Sequence, residues 1–149
     1  MWRLPAMGRK LLILVPVLVT GVGCDRGAAV EATSPMTVRV LVRDINIREA
    51  GVDCAGTGPY VFLHRSAEYR LTDADGRTLV RGDLPSGTSV PAFEEDLEVK
   101  RVPTYCAFAI PVTVPERTDY RLAVGDQRPI ELTVDRDNAE GPSLVAVVP

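Results

Sequence analysis

Cys106, Phe108, Ile110, Val112 and Val114 all fall on one parity of a single run, so an extended backbone would turn every one of them to the same side. No stretch after the N-terminal segment sustains the three-and-four spacing of an amphipathic helix, so the chain has to bury its apolar surface with strands. Val38, Val40 and Val42 alternate in the same way against Arg39 and Arg43. The phase then slips: Ile45 and Ile47 are expected to continue the apolar side in an odd register, with a bulge near Asp44. Val61–Leu63 is a short strand candidate. Glu68–Thr72 is expected to pair with Arg77–Arg81 across the Ala74-Asp75-Gly76 turn, because Asp-Gly between β-type runs favours the positive φ values of a tight hairpin. Gly82 to Pro91 reads as turn-rich, leading into the acidic run Glu94-Glu95-Asp96-Leu97-Glu98, a solvated loop. Pro111 cannot donate to a ladder, which places its strand at an edge or breaks it there. Tyr120, Leu122 and Val124, the Gly125-Asp126 turn, and Ile130, Leu132 and Val134 form a second hairpin, and Leu144–Val148 a final strand. Seven to eight short strands with regular turns predict an all-β fold, an antiparallel β-sandwich of immunoglobulin-like or prealbumin-like type over residues 36–149. The core tryptophan of antibody domains is missing, because Trp2 lies in the N-terminal segment.

That segment is built for export. Arg3, Arg9 and Lys10 precede the apolar Leu11–Val19 and the small or slim Gly21-Val22-Gly23, and residues 1–23 are therefore set aside from the fold. With Cys24 at the cut, it resembles a bacterial lipoprotein signal, whose cysteine thiol carries a diacylglycerol. The resemblance implies a chain held on the extracytoplasmic face of the cell membrane through Cys24. Two alternatives remain open: an ordinary secretory signal cut nearby, and an uncleaved anchor. The anchor is disfavoured, since Leu11–Gly23 is interrupted by Pro16 and falls short of the about 20 apolar residues a span needs. Residues 24–35, with few large apolar side chains, read as a flexible tether.

Cys54 and Cys106 then form an even pair that can close a disulfide in an oxidising compartment, the alternative being two buried thiols. A cross-link at this separation is worth about 4 kcal/mol through restriction of the unfolded chain. Cys106, sharing parity with Phe108 and Ile110, should face inward and hold the two layers together. Loss of Arg3, Arg9 and Lys10 with the signal doubles the formal net charge from −3, which argues against nucleic-acid partners.

Chemistry is sparse. His64 is the sole histidine; no CxxC accompanies it for zinc, and no nucleophile elbow makes it a base. Asp73 and Asp75 lack the further oxygen ligands of a calcium loop and fit turn chemistry. Arg81-Gly82-Asp83 spells a tripeptide recognised by some adhesion receptors, but a three-residue match arises readily by chance. No spacing among the 20 acids singles out a glycosidase pair. No catalytic residue, metal site or cofactor is assigned.

Cys54, Gly56, Gly58 and Tyr60, the run Leu71-Thr72-Asp73-Ala74-Asp75-Gly76, then Leu79, Gly82, Leu84, Gly87, Cys106, Phe108 and the Tyr120 hairpin together resemble small secreted or lipid-anchored bacterial proteins common in actinobacteria. Their aspartate-rich stretch after the tyrosine is here Val61-Phe62-Leu63-His64, so no metal cluster is implied. The resemblance implies a disulfide-linked β domain and carries over no catalytic residue. The expected function is a non-catalytic, membrane-anchored module that binds an envelope protein or a small ligand. The alternative is an extracytoplasmic hydrolase or its accessory subunit.

Overall fold

Val38, Val40 and Val42 are wholly buried on one side of β1 (Thr33–Arg48), and Phe108 and Val114 are as deeply buried on β6 (Val102–Pro115). The alternation read from the sequence thus lies against one core. The computed structural model describes residues 29–148, and those from Glu31 onward form one compact unit. Cys24 and the signal, 1–23, lie outside the described residues. The remaining strands are β2 (Asp53–Cys54), β3 (Glu68–Asp73), β4 (Thr78–Asp83), β5 (Gly87–Pro91), β7 (Tyr120–Val124), β8 (Ile130–Asp135) and β9 (Ser143–Val148).

The described residues are all-β: among them nine strands form one curled sheet in the order β2-β5-β6-β1-β9-β8-β7-β3-β4. The expected count of seven to eight is therefore corrected to nine. The wholly antiparallel pairing is corrected too, since β1 and β9 run parallel, with Val38 opposite Leu144 and Val42 opposite Val148. The curl centres on β8, which changes neighbours along its length. Ile130 to Leu132 pair with β7, whereas Thr133 to Asp135 pair with β9. As a result Leu71, Tyr120 and Leu122 share a single core with Val40, Phe108 and Leu144 from the far half of the sheet.

The two hairpins form where expected. Gly76 supplies φ +80° between β3 and β4, and Gly125 turns β7 into β8. Strand β6 is unbroken at Pro111. That residue pairs only with Thr37 of β1, because β5 reaches no further along β6 than Ala107, so the missing N–H meets an open edge. Other expectations are corrected. Strand β1 begins at Thr33, inside the span read as tether. The stretch Gly87–Pro91 is not a turn but strand β5, paired on both sides. Val61–Leu63 is not a strand: it follows a 3₁₀ turn at Gly58–Tyr60, and Leu63 closes the loop by accepting the Gly56 N–H at 2.7 Å.

Cys54 and Cys106 are joined, with Cα atoms 5.8 Å apart. They do not tie two layers together as expected. They link β2 to β6 within one half of the sheet, across β5, and Gly87 lies under the sulfurs. A methyl group there would meet Cys54 O at 2.9 Å, Phe108 Cζ at 3.0 Å and Cys106 Sγ closer still.

Candidate functional site

The β1–β6 ladder gives the molecule two distinguishable ends, one where Thr33 pairs with Pro115 and the other where Arg48 pairs with Val102. The first end is a closed charge network. Asp73, buried at the end of β3, accepts the N–H groups of Asp75 (3.1 Å) and Arg77 (2.9 Å), an aspartate turn that fixes the hairpin. Its second oxygen faces Arg77 Nε at 3.5 Å and Arg117 Nε at 3.7 Å. Glu31 closes the ring by accepting two hydrogen bonds from Arg117 and one from Arg77. The Arg117 hydrogen bonds hold the Glu31 carboxyl below the usual carboxylate range, and Glu31 in turn raises Arg117. Beside them Tyr120 donates its hydroxyl proton to Pro115 O at 3.0 Å and accepts the Arg117 N–H at 2.8 Å. The segment entering β1 is thereby clamped to the β6–β7 connection. An open groove of about 820 Å³ adjoins it, and most of its charges are paired, Arg136 with Glu116 and Arg121 with Glu131, while Asp119 accepts a hydrogen bond from Thr118.

The opposite end differs. Strand β1 keeps its phase as far as Asp44, whose carboxylate is buried, and the bulge falls between Arg43 and Ile47. Ile45 and Ile47 therefore do not continue the apolar side as expected; they are 81% and 62% exposed. The reason is local. Asp44 accepts the Asn46 N–H (2.9 Å), the Asn46 side-chain amide (3.1 Å) and Arg48 Nε, so a carboxylate takes the inward position that the pattern assigned to isoleucine. Burial pushes the Asp44 pKa up, and these hydrogen bonds together outweigh it, leaving the carboxyl below its ordinary value. A lowered folded-state pKa means stability that is complete above the unfolded-state value of about 3.9 and lost as pH falls through the folded one. Urea midpoints should accordingly fall through that range in the wild type and vary less with pH in Asp44→Asn, which starts lower at neutral pH. Parallel pH profiles for the two would remove Asp44 from this role.

Around the bulge lies an open groove of about 860 Å³ where Ile45, Ile47, Phe93, Pro103 and Tyr105 stand beside the polar Arg43, Asp44 and Asn46. Thr104 also borders it, and its buried hydroxyl has no hydrogen-bond partner. The neighbouring acidic loop exposes Leu97 and Val99. The sequence pattern does not mark Thr104; it marks Asp44 as the place of the bulge but not as a buried carboxylate, for which the only signal is the Asp44-x-Asn46 spacing that suits an aspartate turn.

Of the sequence candidates, Cys54 and Cys106 are brought together, while Cys24 lies outside the described residues. His64 is exposed, its Nδ1 2.9 Å from Arg65 O. Asp73 serves the hairpin turn rather than a cation, and among the described residues no group of three His, Cys, Asp or Glu side chains is placed to hold a metal ion. Arg81-Gly82-Asp83 is the end of strand β4 rather than a loop tip, with Gly82 covered by the Tyr69 ring. Burial, and then the Asp83 charge, raise the Tyr69 pKa. No family model matches the chain, and no curated protein or solved structure matches it either.

Proposed function

We propose that this chain is a non-catalytic binding module, held through lipid on Cys24 at the extracytoplasmic face of the cell membrane, that engages an envelope protein with the end of its sheet remote from the tether. The observation carrying this reading is the asymmetry of the two ends. The chain enters at Glu31 through a closed ring of ion pairs, whereas Ile45, Ile47, Leu97 and Val99 stand exposed at the other end. Scattered apolar side chains need no explanation, but two exposed isoleucines on one groove, with more exposed apolar residues in the next loop, do. In this reading the curled sheet is an immunoglobulin-like or prealbumin-like sandwich. Support comes from the single core shared by both halves of the sheet and from Tyr120, whose hydroxyl bonds back to Pro115 as in the tyrosine corner of such domains. The likeness to small lipid-anchored proteins of actinobacterial type accords with it.

A photo-cross-linker placed at Ile45 or Ile47 in membrane-bound protein should capture one partner in constant stoichiometry, and the same probe at Glu140 should not. Ile45→Ser with Ile47→Ser should abolish capture and change stability by no more than about 0.5 kcal/mol, as exposed substitutions do. Equal labelling from both ends would contradict the reading. Turnover of a substrate that vanishes on replacing one carboxylate would make the chain an enzyme instead.

A further inference from the structure

Strand β4 is the last strand of the sheet and pairs with β3 alone. Its first half, Thr78 to Val80, is half-buried, but Arg81, Gly82 and Asp83 are exposed. Tyr69 and Leu71 of β3 face the core, so their partners Gly82 and Val80 face it too, and Arg81 and Asp83 point outward. The register sets Arg81 directly opposite Arg70, and Asp83 directly opposite Glu68. Like charges opposed in a ladder are destabilising. The diagonal opposite charges do not relieve this, since none of these four side chains enters an ion pair among the described residues. The free edge thus presents unpaired backbone groups and two charges, each crowded by its own kind on the β3 side.

We infer that a second copy of this chain docks on the Arg81–Asp83 edge, pairing β4 with β4 in antiparallel fashion about a two-fold axis at Gly82. A two-fold interface has to be self-complementary, each residue meeting its counterpart's partner. Centred on Gly82, antiparallel pairing sets Arg81 against Asp83 of the second copy and Asp83 against its Arg81. Both side chains then gain an opposite charge on the side away from β3. The axis falls on a residue with no side chain, which lets the backbones approach, and the edge N–H and C=O groups supply the ladder. The motif that spelled a receptor tripeptide becomes a self-recognition sequence. Such a short contact buries far less than the about 1,600 Å² of a stable complex. The dimer is therefore weak, with Kd on the order of 0.1–1 mM.

Sedimentation equilibrium of the soluble domain, residues 29–149 with its disulfide intact, should show a monomer–dimer equilibrium that weakens with salt. Arg81→Glu and Asp83→Arg should each raise Kd about tenfold or more, because each variant opposes like charges across the axis. An equimolar mixture of the two should recover association. In the mixed dimer the introduced glutamate of one chain meets the introduced arginine of the other, and the native Asp83 of the first meets the native Arg81 of the second. Thermal unfolding of each variant checks that the exposed substitutions leave the fold intact. Wild-type protein that stays monomeric at about 1 mM, dimers that survive in both single variants, or a mixture that fails to recover would each overturn the inference.

Discussion

Gly87→Ala should destabilise the domain by about 3 kcal/mol or more, a large effect for adding one methyl group. The added carbon has nowhere to go. Gly87 lies in β5, paired with Cys54 on one side and covered by the disulfide, so the methyl would meet Cys106 Sγ, Cys54 O and Phe108 Cζ together. Two of these are core atoms and one is backbone, and none is the free end of a flexible chain. Chemical denaturation of the oxidised protein would read the loss. In a Cys54→Ala, Cys106→Ala background the penalty should shrink, because the closest atom has been removed; the two sites are in contact and should not behave additively. A Gly87→Ala protein as stable as the wild type would mean that β5 does not pass beneath the disulfide.

The second large effect is loss of the disulfide itself. Cys54→Ala and Cys106→Ala should each cost about 4 kcal/mol, and reduction of the wild type should cost about the same. The cross-link matters because β2 is only two residues long and meets the sheet through β5 alone. Without the bond, the connection from Arg48 to Glu68 is held by buried Leu63, by the partly buried Tyr60, Phe62 and Ala67, and by hydrogen bonds such as those of Ser89 with Glu49 and Val52. Unchanged unfolding in both variants under oxidising conditions would refute the bond.

Where a residue's neighbours along the chain decide its conformation, the sequence was sufficient. Asp75-Gly76 and Gly125-Asp126 carry their own turn chemistry, and the valines of β1 and the Cys106–Val114 run announce their faces by period two alone. What was not legible depended on distant partners. The run Gly87–Pro91 has turn composition, yet it forms a strand because Cys54 and Cys106 flank it and need a residue without a side chain between them. The parallel pairing of β9 with β1 leaves no local trace, since both strands read the same whichever way the neighbour runs. At Ile45 and Ile47 hydrophobicity pointed inward and was overruled by Asp44, whose hydrogen bonds with Asn46 and Arg48 satisfy a buried charge. The site was legible least of all. The ring of Glu31, Asp73, Arg77 and Arg117 gathers residues from three separated segments. The groove at the other end includes Ile45 and Ile47, which a pattern reading assigned to the apolar side, beside Phe93, Pro103 and Tyr105, which it left unassigned.

Display outside the cytoplasm, on a membrane and through the first mature residue, underlies the proposed function. The most direct test is the intact mass of the native protein recovered from the membrane fraction. The expected species begins at Cys24, carries added lipid mass, and is lighter than the reduced chain by the hydrogens lost to one disulfide. A lipid-free chain recovered from the medium, or one that retains residues 1–23, would contradict it.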